Sequence, residues 1–226
     1  MSKKVIALIP ARSGSKGIKD KNIKQLNGIP LIGWSIKDCK KSKLIKKIIV
    51  STDSKKYEKI AYNFGADKVI IRPKGISEDH STDYEFIMHA INNINFDYEY
   101  IAHIRPTTPV RKKGLLDQAI QIFKKESYTS LRSVHEMSET AYKTFEIKEK
   151  KLHPLKTINQ SFEILNNPRQ VFPKTYMANG LIDIYRKSYI LKKKKLFGSR
   201  VRAFITPHTF EIDSLEDFNI IKKQIR

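Results

Sequence analysis

The chain has 226 residues, 40% hydrophobic and 30% charged, and its 44 Lys and Arg against 23 Asp and Glu give a formal net charge of +21. At roughly 150 residues per domain this predicts a single domain, residues 1–226, long enough to bury a core without staples. The lone cysteine, Cys39, excludes a disulfide framework and a Cys-based zinc site and fits a reducing compartment, while no apolar run nears the about 20 residues of a membrane span.

The chain opens with a polar tetrapeptide and a six-residue apolar stretch, Val5 to Pro10, too short for a secretory signal. A cytoplasmic location is therefore expected. Val5–Ile9 reads as a buried strand, followed by a Gly- and Ser-containing loop. Leu31–Cys39 has helical spacing. Lys47–Ser51 predicts a second strand, and Lys55–Phe64 a helix behind the capping candidates Ser51, Thr52, Asp53 and Ser54. Asp53 caps that helix or faces the ligand side. Lys68–Ile71 is the third strand, Tyr84–Ile94 a helix, Tyr100–Ile104 the fourth strand and Leu115–Lys125 the next helix. Strand and helix alternating through short loops predict parallel βαβ units, a doubly wound, Rossmann-like α/β core.

From about residue 135 the periodicity weakens. Residues 135–180, rich in Lys, Pro, Asn and aromatics, predict an inserted arm of short strands and loops, a lid or a dimerisation element. The core resumes at Leu181–Tyr185, Ser188–Lys195 and Val201–Ile205. Phe218, Ile221 and Ile225 form the stripe of a closing helix that ends at Arg226.

The charge has two readings: a polyanionic or phosphorylated partner, or a lysine-rich solvated surface. Only Lys192–Lys195 forms a block, and no nucleic-acid-binding signature accompanies it. The loop after the first strand is more specific, because ligands of open α/β sheets bind at the carboxyl ends of strands. Gly14 and Gly17 let its backbone turn and aim N–H groups inward, Ser15 adds a hydroxyl, and Arg12, Lys16 and Lys21 bring cations. This predicts a cradle for a triphosphate or pyrophosphate. It matches neither the Walker A nor the dinucleotide glycine pattern. Lys16 and Lys19 are equally well read as solvated.

Ile9-Pro-Ala-Arg-x-x-Ser-Lys-Gly, followed by Lys21-Asn22, resembles the N-terminal signature of the sugar-activating cytidylyltransferases. The match is closest to the CMP-acylneuraminate (nonulosonic acid) synthetases; the loop of the Kdo cytidylyltransferases differs. Five further stretches follow in that family's order: Val50-Ser-Thr-Asp-Ser54, Arg72-Pro73 with Glu78-Asp-His-Ser-Thr-Asp83, Arg105-Pro-Thr-Thr-Pro-Val-Arg111, Pro168-Arg-Gln170 with Asn179-Gly180, and Glu211-Ile-Asp213. Met177-Ala178 stand before Asn179 where the family has Arg-Pro, which removes one family arginine.

The resemblance implies a nucleotide-diphospho-sugar transferase-like fold. It implies a homodimer and a reaction in which CTP and a nonulosonic acid give the CMP-sugar and pyrophosphate. Neither nucleic acid nor a membrane is expected as partner. Arg12, Lys21 and Asp213 would form the catalytic set. Ala11, Ser13, Gly14, Ser15, Lys16, Gly17 and Asn22 would complete the nucleotide site with Ser81, Thr82 and Arg105, Ser81 and Thr82 serving equally as helix caps. Arg105 would also meet the sugar acid, with Lys143, Arg169, Gln170 and Asn179; Arg169 suits its carboxylate through a bidentate fork. Arg111 is either a site residue or a surface arginine. Glu211 and Asp213, two apart, point to one side of an extended segment and would bind Mg²⁺, or Mn²⁺ in its place. Asp213-x-x-Glu216 also has the form of a capping box. The six histidines are expected to be structural or surface residues.

Overall fold

The computed structural model describes residues 4–155 and 162–224. In chain order its elements are β1 (Val5–Pro10), the two-residue strands β2 (Gln25–Leu26) and β3 (Ile29–Pro30), α1 (Leu31–Lys41), β4 (Ile45–Thr52), α2 (Lys55–Phe64), β5 (Lys68–Ile71), α3 (Asp83–Asn92), β6 (Tyr100–His103) and α4 (Leu115–Lys125). Then come β7 (Ser130–Glu136), β8 (Phe145–Lys148), β9 (Lys151–Pro154), β10 (Tyr176–Arg186), α5 (Lys187–Lys193), β11 (Val201–Ile205) and α6 (Leu215–Gln224). Ile225 and Arg226, expected to finish the closing helix, lie outside the described residues.

Seven strands form one sheet in the order β11-β7-β10-β6-β1-β4-β5. Only β10 runs antiparallel to its neighbours, β6 and β7, so the sheet is mostly parallel as the alternating pattern predicts. β1 lies inside the sheet between β6 and β4, and its period of two divides it between two cores. Val5, Ala7 and Ile9 pack with Ile32 and Ile36 of α1, Tyr57 and Ala61 of α2, and Ile120 and Phe123 of α4. Ile6 and Leu8 face the other side, with Phe86, Ile87 and Ile91 of α3 and Ile190 of α5. A third, smaller cluster joins Ile18 behind the first loop, Leu26 and Leu31 to Ile212, Phe218 and Ile221. That cluster anchors the segment between β11 and α6 against the loop after β1.

Several features differ from expectation. Asn27 and Gly28, both at positive φ, turn the β2–β3 hairpin, where no element is expected. β7 is an unexpected sheet strand: its buried Ser130, Ser133 and His135 break the apolar pattern that marks a strand in sequence. β10 begins at Tyr176 rather than Leu181, with a register break between Ala178 and Asp183. The expected arm boundaries at 135 and 180 thus fall inside two sheet strands, and the excursion occupies residues 137–175. Its β8–β9 hairpin stacks Phe145 on Phe162 at 5.6 Å but leaves its other apolar side chains open: Ile147 is 76% exposed and Leu152 51%.

Arg111 is not a surface residue. Its side chain is 1% exposed. It donates from Nε to Leu181 O (3.0 Å), from Nη2 to Arg105 O (2.7 Å) and Thr108 Oγ1 (3.0 Å), and from Nη1 to Ser35 Oγ (3.3 Å). The guanidinium thereby staples the loop after β6 to α1 and β10. Arg111→Ala orphans these buried acceptors and is expected to cost about 3 kcal/mol, read as a lowered urea midpoint at unchanged slope.

Candidate active site

A cleft of about 440 Å³ opens at the carboxyl ends of β1, β4, β5 and β6. Its walls come from the loop after β1, the loop between β5 and α3, the loop after β6, and the strap of residues 206–214 that leads into α6.

Three aspartates from three other parts of the chain hold the first loop. Asp53 accepts from Ser13 N (2.8 Å) and Ser13 Oγ (2.9 Å), so it caps no helix; Ser54 is the N-cap of α2. Asp79 pairs with Arg12 Nη1 at 2.7 Å and with Lys16 Nζ, and these two cations hold its carboxyl below the usual range, Lys16 foremost. Asp213 accepts from Lys21 Nζ at 3.0 Å, and the same ammonium donates to Ile212 O at 2.9 Å. Asn22, almost fully buried, donates to Arg12 O at 2.9 Å and closes the loop on itself. Gly17 lies so close to the strap that a Cβ there would collide with the Asp213 carbonyl oxygen, whereas a Cβ at Gly14 would meet open space.

The opposite end of the cleft is built around Arg105. Its Nη1 donates to Asp183 (2.8 Å) and its Nη2 to Asp83 (2.8 Å). Burial disfavours the charged guanidinium, but Asp183 and Asp83 outweigh it and raise the pKa further. Asp183 is itself buried and also takes Arg132 Nε (3.1 Å) and Tyr185 Oη (3.3 Å). His103 forms the floor, fully buried, with neither ring nitrogen hydrogen-bonded and its ring against Phe86 at 5.3 Å. Burial, then the surrounding arginines with Arg105 first, push its pKa well down, so the imidazole is neutral. Arg72 is buried beside it, donates to Ser51 O (3.1 Å) and stacks over Phe86; burial pushes its pKa down to about 10.

Of the residues expected at the site, Arg12, Ser15, Lys16, Gly17, Lys21, Asn22, Ser81, Arg105 and Asp213 line the cleft together. Ala11, Ser13, Gly14 and Thr82 do not. Ala11 is buried with its N–H on Ser51 O, the Ser13 N–H and hydroxyl are taken by Asp53, and Thr82 caps α3 in a reciprocal capping box with Glu85. Asn179 is buried and donates to Thr206 Oγ1 (2.7 Å), a structural bond between β10 and the strap. Arg169 and Gln170 border a separate cavity on the arm, where Arg169 meets Glu136 (3.5 Å) and the Ser138 carbonyl. Lys143 lies over the Phe172 ring on the same arm. None of these four reaches the cleft of its own chain. Arg72, Asp79, Asp83, His103 and Asp183 shape the site without having been expected there. The motifs containing Arg72, Asp79 and Asp83 were visible, but not which of their side chains would turn inward.

Glu211 and Asp213 flank the buried Ile212, as an extended segment requires, yet only Asp213 lines the cleft. Glu211 accepts from Thr107 Oγ1 at 2.7 Å. The capping box sits one residue beyond the expected one: Ser214 and Asp217 exchange hydrogen bonds at the start of α6, which leaves the Asp213 carboxylate to the cleft. No group of three or more His, Cys, Asp or Glu among the described residues has metal-binding geometry. One carboxylate suits Mg²⁺, which keeps several waters and takes its remaining ligands from substrate phosphates.

The mostly parallel seven-stranded sheet with its cleft at the carboxyl edge has a nucleotide-diphospho-sugar transferase-like fold. A solved CMP:2-keto-3-deoxy-manno-octonic acid synthetase complexed with CTP superposes with a TM-score of 0.76 at 14% identity, over 99% of this chain and 98% of that one. The chain belongs to the cytidylyltransferase family, whose model matches residues 6–224. It is 33% identical to the N-acylneuraminate cytidylyltransferase of Escherichia coli O18:K1:H7 over 97% of its own length and spans about half, 52%, of that relative. It is 27% identical to the CMP-N,N'-diacetyllegionaminic acid synthase of Campylobacter jejuni, covering 96% of this chain and 93% of that one. The post-translational flagellin modification protein B of Campylobacter coli is likewise 27% identical, over 98% and 95%.

The two loop glycines give a paired prediction. Gly17→Ala is expected to push the strap away and destabilise the protein by about 1–3 kcal/mol in chemical denaturation, while Gly14→Ala costs nothing measurable.

Proposed function

We propose that the chain transfers the cytidylyl group of CTP to a nonulosonic acid, giving the CMP-sugar and pyrophosphate. The observation that carries this is the convergence of Arg12, Lys16 and Lys21 with Asp213 across one cleft, in a chain with one relative of matching length, that of Campylobacter jejuni, named for such a sugar. The anomeric 2-hydroxyl of the acid attacks the α-phosphorus and pyrophosphate leaves in line. Such a step asks for positioning and for neutralisation of developing charge. Arg12, Lys16 and Lys21 supply the positive charge on the phosphate side, and Ser81 borders the nucleoside side. Asp213 would hold Mg²⁺, with substrate oxygens and water completing its shell; when bound, the ion neutralises phosphate charge and acidifies the attacking hydroxyl.

Arg105, with both arms of its fork on carboxylates, orders the far wall of the cleft and is not free to grip a substrate carboxylate. That task falls to the arm. In a homodimer the exposed β8–β9 face would pack on the second copy and bring Lys143, Arg169 and Gln170 to that copy's cleft. The chemistry needs only cytosolic substrates, consistent with a cytoplasmic enzyme; no described helix is long and apolar enough to cross a membrane.

The decisive assay is pyrophosphate release from each of the four nucleoside triphosphates with a panel containing N-acetylneuraminate, legionaminate, pseudaminate and Kdo. CTP-specific turnover of a nine-carbon acid is expected, abolished by EDTA. Turnover of Kdo alone would transfer the chain to the other branch of the family, and no turnover with any acid would refute the reading. Asp213→Asn and Lys21→Met are each expected to lower kcat by about 10²-fold or more, and Glu211→Gln by less than about threefold. Light scattering should give a dimer for the native chain and a monomer for Ile147→Asp; a monomeric native chain would remove the arm's assigned role.

A further inference from the structure

The phosphate cradle carries its own anion. Asp79, on the loop between β5 and α3, places one carboxylate oxygen on Arg12 Nη1 at 2.7 Å and the other on Lys16 Nζ. These are two of the three loop cations that line the cleft, and the third, Lys21, is satisfied separately by Asp213 and the Ile212 carbonyl. Both side chains of the Arg12–Asp79 pair are partly covered, 32% and 27% exposed, while Lys16 reaches the same carboxylate from the solvent side. A carboxylate that bridges a guanidinium and an ammonium presents two oxygens much as a phosphate does.

We propose that Asp79 is a built-in occupant of the seat for the nucleotide's terminal phosphates, which the triphosphate must displace before the cradle can close on it. The proposal rests on the cleft being a nucleoside triphosphate site and goes beyond it by naming what fills the seat beforehand. Two consequences follow from charge and connectivity. In the free protein Asp79 orders Arg12 and Lys16 and offsets their repulsion, so the loop is preorganised without ligand. When phosphate takes both cations, Asp79 is expelled next to incoming negative charge and its loop must move. That loop also carries Glu78 and Ser81, both on the cleft wall, and Ser81 accepts from the Glu78 N–H at 3.0 Å. Filling the phosphate seat therefore rearranges the wall at the nucleoside end. Asp79 acts through Arg12 and Lys16 and is a positioning residue.

The test is calorimetric binding of inorganic triphosphate, CTP and cytidine to the purified full chain and to Asp79→Asn and Asp79→Ser. Removing the competing charge is expected to tighten triphosphate and CTP binding by about fivefold and to leave cytidine unchanged, a split that a purely structural role does not produce. Hydrogen exchange on the wild-type chain supplies an arm that needs no variant: adding triphosphate should speed exchange in residues 73–82. If the native chain binds triphosphate but both variants bind it equally or more weakly, and exchange in 73–82 does not rise, Asp79 is no competitor while the nucleotide site stands. If neither the native chain nor the variants bind triphosphate or CTP, the nucleotide site itself is wrong. Binding that emerges only in the variants would be the strongest form of the predicted result.

Discussion

The site depends on one constraint: a cation-rich loop leaving a buried interior strand has to be held in one shape without a ligand. Arg12, Lys16 and Lys21 repel one another, and the loop's glycines give it freedom. Asp53 from the end of β4, Asp79 from the loop after β5 and Asp213 from the strap each grip one stretch of it. The strap is in turn fixed by Ile212, fully buried among Ile18, Leu31 and Phe218, and by its N–H on Thr107 O at 2.8 Å. Residues separated by almost the whole chain are thus locked around one cleft. A preorganised charged site is what transition-state stabilisation in phosphoryl chemistry requires.

The same pairing revises the meaning of the net charge of +21. Most cations in the cleft meet carboxylates: Arg12 and Lys16 share Asp79, Lys21 meets Asp213, and Arg105 meets Asp83 and Asp183, while Arg72 rests on the Ser51 carbonyl. The surplus therefore lies outside it, on exposed lysines such as Lys192 and Lys193 in the last turn of α5, where they complement the helix dipole. A basic composition thus says little about the ligand, whereas the sequence around β1 says a good deal.

What was legible followed physical locality. β1, β4, β5, β6 and the helices between them showed in the sequence because each buries a periodic apolar face. The cation-rich loop after β1 showed because its chemistry is compressed into a dozen residues. β7 escaped because its buried positions include the polar Ser130, Ser133 and His135, and part of that burial is offset by neighbours distant in sequence. Ser133 Oγ, for instance, accepts from Ile182 N at 3.0 Å. Arg111 was ambiguous for the same reason: its acceptors lie on α1, the β6 loop and β10. The β2–β3 hairpin, by contrast, was announced by Asn27-Gly28 and could have been expected. Asp53, Asp79 and Asp183 illustrate the general limit, since an aspartate's partner is a property of the fold and not of its neighbours in the chain.

A crystal structure of the chain with CTP and Mg²⁺ tests the central claim most directly. The triphosphate is expected on Arg12, Lys16 and Lys21, with the ion on Asp213 and the Arg12–Asp79 pair broken. A nucleotide bound elsewhere, or a triphosphate that leaves these cations on their aspartates, would contradict it.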